Sequence, residues 1–225
     1  MTEKSHVIVK ICGLSSPETL LAAIEAGADM AGFVFFEKSP RHIDLETART
    51  LGLLAQERIA KVALAVDADD AALQDIIDAL APDYLQLHGK ETPARVAEVK
   101  ARFGLPVIKA AGVATPDDVE AARAYEDIAD VILFDAKPAP NAAIPGGGGV
   151  AFDWNLLCGV TAKNWMLSGG LDPGNVAAAM RLTGARAVDV SSGVERERGV
   201  KDAAKIAAFL AAARPSSGGI MGVIA

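Results

Sequence analysis

Two side chains that can take part in proton transfer stand at the ends of short apolar runs. Cys12 closes the run VIVKIC, with Lys10 two residues before it, and Asp135 closes the run VILFD. A nearby lysine favours the reactive thiolate of a cysteine, while a small buried cysteine that only packs is the alternative. A carboxylate that ends an apolar strand is costly to bury unless it is paired or used. Asp135 is therefore part of a site, a partner of Lys137 or a helix cap.

Four further side chains lie in, or follow, other apolar segments. Arg41 comes after Ser39-Pro40, where it either meets an anionic group or is solvated at the surface. Gln86 and His88 alternate along one run, so His88 is equally a hydrogen-bonded structural histidine or a substrate contact. Cys158 lies in an apolar segment after Trp154 and is expected to be structural.

Three glycine-bearing segments predict a phosphate site. They are the glycine run at 146–149, which includes Gly147 and Gly148, and the turns Ser168-Gly169-Gly170 and Ser191-Ser192-Gly193. Glycine lets backbone N–H groups converge on an anion because no Cβ stands in the way. Tight-turn geometry explains any single glycine pair, whereas three such turns together favour phosphate binding.

Short β-type runs alternate with helical runs and predict the elements that position these residues. The predicted strands cover residues 7–12, 31–36, 59–66, 84–88, 107–111, 131–135, 165–168 and 187–191, and the last two helices begin near Pro173 and Lys201. Continuous apolar strands joined by helices indicate a parallel sheet covered on both faces. Eight regular units favour a single (β/α)₈ TIM barrel over an open doubly wound sheet. We expect one domain, 1–225, in which about 215–225 is an appended tail.

In such a barrel, the active site lies at the carboxyl ends of the strands, and the turns after the last two strands are the usual phosphate site. Cys12, Asp135, Arg41 and the glycine turns all fall at that end in the predicted arrangement. The sequence thus predicts one site that combines a thiol, a carboxyl group, a cation and a phosphate cradle.

Composition restricts the partners of the chain. The 22 Lys and Arg residues against 29 Asp and Glu residues give a net charge of −7, which disfavours nucleic acid but leaves a small anionic substrate possible. The two cysteines suit a reducing cytoplasm, and neither they nor the three histidines fall at zinc-ligand spacing. No run approaches the ~20 apolar residues of a membrane span. We therefore expect no metal, no membrane and no nucleic acid.

An ordered set of short motifs resembles the phosphoribosylanthranilate isomerase family of tryptophan biosynthesis. The resemblance extends from residue 9 to about residue 213. It rests on KICG at 10–13, GFVF at 32–35 followed by Ser39-Pro40-Arg41, QLHG at 86–89, LFD at 133–135, GGGGVAFDW at 146–154, LSGGLDPGNV at 167–176 and VDVSSGVE at 188–195. Each motif is short, but the set in this order is specific.

The resemblance implies an Amadori rearrangement of N-(5′-phosphoribosyl)anthranilate to the 1-deoxyribulose 5-phosphate aminoketose. By motif, Asp135 matches the general acid that opens the ribose ring, Cys12 the general base that removes the C2′ proton, and Arg41 the residue that faces the anthranilate carboxylate. The glycine turns match the phosphate site. The imine intermediate is its own electron sink, so no cofactor is expected. The expected partner is a phosphosugar, and the chain is expected to be a cytoplasmic monomer or homodimer.

Two other functions stay open on the sequence. An indole-glycerol-phosphate synthase needs a Lys and a Glu at the strand ends. Here Lys109 is present, but we expect no strand-end Glu on the neighbouring strands. A non-catalytic sensor of a phosphate ligand would need neither Cys12 nor Asp135, so their presence favours an enzyme. The chain also departs from the family where Gly148 replaces a Ser or Thr and where residues 197–200 replace a Pro-Gly-Lys type of turn.

Overall fold

Eight parallel strands close into a barrel in the computed structural model, which describes residues 6–137 and 151–214. The strands follow one another in chain order, and the last pairs with the first, with Val188 opposite Val9. They are β1 (Ile8–Cys12), β2 (Met30–Phe35), β3 (Ala60–Ala65), β4 (Tyr84–Leu87), β5 (Val107–Val113), β6 (Val131–Ala136), β7 (Trp165–Leu167) and β8 (Ala187–Val190). The prediction of a TIM barrel instead of an open sheet is confirmed.

Seven α-helices in the described residues pack on the outside of the barrel. Five of them are preceded by an N-cap residue whose side chain accepts a hydrogen bond from the backbone N–H three residues later, namely Ser16, Asp44, Asp69, Thr92 and Asp202. Outward strand residues and the apolar helix faces form the main core. The helices are α1 (Pro17–Glu25), α2 (Leu45–Ala55), α3 (Asp70–Leu80), α4 (Pro93–Phe103), α5 (Pro116–Ala122), α6 (Val176–Thr183) and α7 (Ala203–Ala213).

The structure differs from the predicted pattern in the last third of the chain. Between β6 and β7, the described residues hold a 3₁₀ helix (Trp154–Leu157) instead of an α-helix. After β8, a hairpin of β9 (Glu195–Glu197) and β10 (Val200–Lys201) moves the start of α7 from Lys201 to Ala203. Strands of two and three residues carry no periodicity, so the sequence pattern could not reveal them.

One smaller correction concerns a helix start, and two predictions fall on residues that the structure does not describe. The helix predicted near Pro173 begins at Val176, after a turn in which Asp172 accepts hydrogen bonds from the N–H groups of Gly174 and Asn175. The predicted tail after Arg214 lies outside the described residues, as do Gly147 and Gly148.

The barrel interior holds both apolar and polar side chains. Lys10, Gln86, Asp135 and Asp189 are buried and alternate along their strands with members of the outer core, so they point inward. The remaining interior is filled by an apolar cluster of Met30, Val62, Ile108, Ala110, Leu133 and Met166. The apolar cluster excludes water from the barrel, which strengthens any charge interaction of the polar residues.

Three aspartates repeat one hydrogen-bonding pattern at the amino-terminal end of the barrel. Each immediately precedes an even-numbered strand, accepts the backbone N–H of a residue on the preceding strand and donates its own N–H to that residue's carbonyl. The pairs are Asp29 with Val9 (2.6 and 3.0 Å), Asp83 with Lys61 (2.7 and 2.9 Å) and Asp130 with Val107 (2.8 and 2.9 Å). These bonds pair backbone N–H and carbonyl groups near the amino-terminal ends of the strands. They thereby fix the register of β1–β2, β3–β4 and β5–β6.

We predict that Asp83→Ala lowers the free energy of unfolding by about 1 to 2 kcal/mol, since it removes a hydrogen bond to a charged acceptor. Asp83→Asn keeps an acceptor oxygen and should lose less. Urea denaturation measures both, with Asp75→Ala on the exposed face of α3 as a control that changes stability by less than about 0.5 kcal/mol. Equal midpoints for Asp83→Ala and the control would contradict the proposed role of this carboxylate.

Candidate active site

Cys12 and Lys10 lie side by side inside the barrel at the carboxyl end of β1. Cys12 is 5% exposed and Lys10 is fully buried. Gly32 stands opposite Cys12 on β2, and a Cβ at that position would lie 3.0 Å from the Cys12 Sγ and 3.1 Å from the Lys10 Nζ. A side chain at position 32 would therefore crowd both groups, which favours glycine there.

The ammonium group of Lys10 interacts with two neighbours, Asp189 and Cys12. Its Nζ donates to Asp189 Oδ1 at 2.8 Å, and Ser168 Oγ donates to the other carboxylate oxygen at 3.2 Å. Burial lowers the pKa of Lys10, but Asp189 and Cys12 outweigh it and leave the pKa above its ordinary value. Lys10 is therefore a permanent cation inside the barrel.

Lys10 favours the thiolate of Cys12 in the expected direction, but the pKa of Cys12 still lies above its ordinary value. Burial raises the pKa of Cys12 and outweighs the lowering effect of Lys10, and the Asp189 carboxylate raises it further. Lys201, like Lys10, lowers the pKa of Cys12. Cys12 therefore rests as a thiol, held between two cations that favour its ionised form.

Asp135 projects across β5 toward β4. Its register partner on β5 is Gly112, and its Oδ2 lies 3.3 Å from His88 Nε2 while its Oδ1 accepts the Ala136 N–H at 2.8 Å. The alternative ion pair with Lys137 is wrong, because Lys137 pairs with Asp118. His88, which the sequence left open, lies beside the candidate acid.

Arg41 is buried instead of solvated, so that alternative is also wrong. It is 4% exposed, and it donates from Nε and Nη2 to the two carboxylate oxygens of Glu195 at 2.6 and 3.0 Å. Its aliphatic stem lies on Gly13, where an added Cβ would come within 2.5 Å of Arg41 Cδ. The side chain is thereby fixed next to the residue that follows Cys12.

Glu195 is a site residue whose role the sequence did not reveal. It also accepts from Lys201 Nζ at 2.8 Å and from the Gly199 N–H at 3.0 Å. Burial raises the pKa of Glu195, but the hydrogen bonds and charges of Arg41 and Lys201 lower it to about 2. Burial lowers the pKa of Lys201 more than Glu195 raises it. The Glu195 carboxylate therefore stays ionised and holds two cations.

Ser191 connects this cluster to β1. Lys201 Nζ donates to the Ser191 carbonyl at 2.9 Å, and the Ser191 hydroxyl donates to the Cys12 carbonyl at 3.1 Å. The hydroxyl of Ser191, predicted to bind phosphate, is thus engaged within the protein. Its backbone starts the short 3₁₀ helix Ser192–Val194.

The glycine turns after β7 and β8 pack against each other. Gly169 and Gly170 have φ of +82° and +69°, which side-chain-bearing residues rarely adopt. A Cβ on Gly193 would lie 1.9 Å from the Leu171 carbonyl oxygen. The structure thus brings two of the three predicted phosphate segments together, and Gly147 and Gly148 of the third lie outside the described residues.

Lys109 has a glutamate partner that the sequence analysis failed to expect. Its Nζ donates at 2.8 Å to Glu91, which lies in the segment after β4, and also to the carbonyls of Leu87 and Gly89. Its strand neighbours Ile108 and Ala110 line the interior, so Lys109 points outward. The pair holds the loop after His88 in place and does not face the barrel interior.

Other residues in the described ranges lie apart from this site. Cys158 is exposed, with its Sγ 3.4 Å from the Leu182 carbonyl. Among residues 6–137 and 151–214, no cluster of three or more His, Cys, Asp or Glu side chains could hold a metal ion. Within the same ranges, each helix is too short or too polar to cross a membrane.

The Glu195 cluster predicts a specific acid sensitivity. Because the folded-state pKa of about 2 lies below the ordinary 4.5, Glu195 contributes stability that is complete above about pH 4.5 and is lost as pH falls toward 2. The full contribution is about 3 kcal/mol, of which about 2 kcal/mol is lost by about pH 3. Glu195→Gln should therefore lose less unfolding free energy between pH 7 and pH 3 than wild type.

Urea denaturation at both pH values measures this difference. Glu197→Gln, on the exposed side of the same hairpin, should keep the wild-type dependence. An identical loss in wild type and Glu195→Gln would contradict the low pKa of Glu195.

Comparison with known proteins identifies the family. Residues 9–212 match the family described as N-(5′phosphoribosyl)anthranilate (PRA) isomerase. A relative from Rhodopseudomonas palustris (strain HaA2), named N-(5′-phosphoribosyl)anthranilate isomerase, is 58% identical over 211 residues, which are 93% of this chain and 97% of that protein.

Two solved structures are also similar. Phosphoribosyl anthranilate isomerase from Thermotoga maritima has a TM-score of 0.82 and 36% identity, covering 92% of this chain and 98% of that chain. A phosphoribosyl anthranilate isomerase in complex with reduced 1-(o-carboxyphenylamino)-1-deoxyribulose 5-phosphate has a TM-score of 0.80 and 35% identity, with the same coverage. The chain therefore belongs to the PRA isomerase family, the enzymes of tryptophan biosynthesis that isomerise N-(5′-phosphoribosyl)anthranilate by an Amadori rearrangement.

Proposed function

We propose that Asp135 and Cys12 are the general acid and the general base of this rearrangement. The observation that carries the proposal is their placement: both are buried, inward-facing groups at the carboxyl ends of β6 and β1, the end at which TIM barrels hold their chemistry. Arg41 and the glycine turns lie at the same end of the barrel. The anthranilate carboxylate of the substrate can therefore meet Arg41, and its phosphate can meet the glycine turns.

The first step opens the ribose ring. Asp135 donates a proton to the ring oxygen, the C1′–O bond breaks, and the lone pair of the anthranilate nitrogen forms a protonated imine at C1′. The ring oxygen leaves as a neutral hydroxyl instead of a poor alkoxide leaving group. The Ala136 N–H, which donates to Oδ1, holds the carboxyl group in place for this transfer.

The second step moves a proton away from C2′. Cys12 rests as a thiol, so it first releases its proton to solvent, and the charges of Lys10 and Lys201 favour the resulting thiolate. The thiolate then removes the C2′ proton, and the electron pair of the C–H bond flows into the imine to give a neutral enolamine. The enol hydroxyl at C2′ then loses its proton as C1′ gains one, which produces the ketone. Because the imine accepts the electrons, this proposed route uses neither a metal nor an organic cofactor.

Binding groups surround these two residues. We place the phosphate of the sugar on the backbone of Gly169, Gly170, Ser192 and Gly193, with Gly147 and Gly148 completing the site. Ser191 contributes through its backbone, since its hydroxyl donates to Cys12. Arg41 faces the anthranilate carboxylate, and Glu195 fixes the orientation of its guanidinium. Opposite ends of the substrate are thereby anchored on either side of the reacting carbons.

The free thiols and a dimeric relative bear on the compartment and the assembly of the protein. Both thiols in the chain, Cys12 and Cys158, are free, which suits the reducing cytoplasm. A relative from Thermotoga maritima is a dimeric enzyme from which monomers were generated. We propose a cytoplasmic monomer or homodimer, and analytical ultracentrifugation distinguishes the two states.

The activity and its two proton-transfer groups are tested together by following the loss of the fluorescent phosphoribosylanthranilate. Wild type should consume it, whereas Cys12→Ala should lower kcat by about two to four orders of magnitude, the range for a lost general base. Asp135→Asn keeps the shape of the acid without its proton and should lower kcat at least about a hundredfold. Both variants should still bind a product analogue in calorimetric titration.

Cys158→Ala is the matched control and should keep full activity, because Cys158 lies exposed on the segment between β6 and β7. Activity of Cys12→Ala within tenfold of wild type would remove Cys12 from the mechanism. Loss of analogue binding in Asp135→Asn as complete as its loss of activity would make Asp135 structural.

Arg41→Ala should mainly raise KM, because substrate and transition state share the contact with the anthranilate carboxylate. Arg41→Lys should recover only part of the loss, since a lysine cannot reproduce the two-pronged contact with Glu195. Steady-state kinetics measure both, with Arg49→Ala on the exposed face of α2 as a control. An unchanged KM in both Arg41 variants would show that this side chain does not reach the substrate.

A further inference from the structure

His88 and Gln86 form a polar pair inside the barrel that the proposed proton transfers do not use directly. Both lie on β4 or at its end, with the Gln86 side chain fully buried and the His88 side chain 12% exposed. His88 Nε2 is 3.3 Å from Asp135 Oδ2, and His88 Nδ1 is 2.9 Å from Gln86 Nε2. The imidazole thus lies between a buried amide and the candidate acid.

The orientation of the Gln86 amide determines which ring nitrogen carries the hydrogen. In this structure the amide nitrogen faces the ring and carries donors only, so Nδ1 accepts from it and the neutral ring carries its hydrogen on Nε2. That atom faces the Asp135 carboxyl group. Gln86 Oε1 has no hydrogen-bond partner among the described residues, although buried polar atoms are normally satisfied.

We propose that His88 is a positioning residue for Asp135, with Gln86 holding its Nε2–H tautomer. The proposal rests on the proposed role of Asp135 as the acid. Once Asp135 gives its proton to the ribose ring oxygen, the carboxylate left behind keeps the Ala136 N–H as a donor on Oδ1, and His88 Nε2 lies 3.3 Å from Oδ2. The 3.3 Å contact is long for a hydrogen bond, and such contacts shorten when the substrate fills the site.

The contact between Asp135 and His88 crosses a strand. Gly112 lies on β5, between the strands of the two residues, as the register partner of Asp135. The contact therefore joins the non-adjacent strands β4 and β6.

The test compares two substitutions of one histidine. His88→Ala removes the donor and should lower kcat about 10- to 100-fold, as for a lost hydrogen bond to a charged group, while KM changes less than about threefold. His88→Gln can place an amide N–H near the original Nε2 and should restore kcat to within about tenfold of wild type. His6→Ala, whose ring contacts Asp29 at the opposite end of the barrel, should match wild type.

A double-mutant cycle separates positioning from general loss of structure. If His88 acts through Asp135, adding His88→Ala to Asp135→Asn should lower kcat by less than about threefold more, because the two residues act as a unit. An additive loss, or a His88→Gln variant as slow as His88→Ala, overturns the proposal. A normal rate in His88→Ala alone also overturns it, whereas a normal rate in Asp135→Asn overturns the acid assignment itself.

Discussion

The arrangement of the loops at the carboxyl end of the barrel depends on one buried carboxylate, that of Glu195. It receives Arg41 from the segment after β2, Lys201 from β10 and the backbone N–H of Gly199 from the hairpin turn. Removing one partner of a buried ion pair leaves a charge uncompensated, at a cost of about 3 to 5 kcal/mol. The three segments are therefore fixed as one unit, although they are distant in sequence.

A second buried ion pair governs the protonation of the candidate base. Lys10 and Asp189 lie inside the barrel beside Cys12, and their charges act on its pKa in opposite directions. Burial raises the pKa of Cys12 more than either charge shifts it, so the thiol is the resting form. Buried ion pairs contribute little net stability compared with packed apolar residues. The main effect of the Lys10–Asp189 pair is therefore on the pKa of Cys12 and not on the stability of the fold.

Much of this fold and part of this site could be predicted from sequence, for physical reasons. The alternation of apolar strands with helices determines a parallel barrel, and the barrel determines that Cys12 and Asp135 point to its carboxyl end. What surrounds them could not be predicted, since Arg41 and Glu195 are 154 residues apart and meet only in the closed barrel. Glu91 was missed because it lies past the end of β4, outside the strand-end positions considered for Lys109.

Residues 197–200, which differ from the Pro-Gly-Lys type of turn of the family, show which positions of the β9–β10 hairpin the site constrains. Gly199 has φ of +85°, and a Cβ on it would lie 2.7 Å from the Pro40 carbonyl oxygen. The hairpin thus packs directly on the segment that carries Arg41, at the one residue that has no side chain. Glu197 and Arg198 are exposed. Their identities can vary, because the site needs only a turn that delivers Glu195 and Lys201 and places a glycine against Pro40.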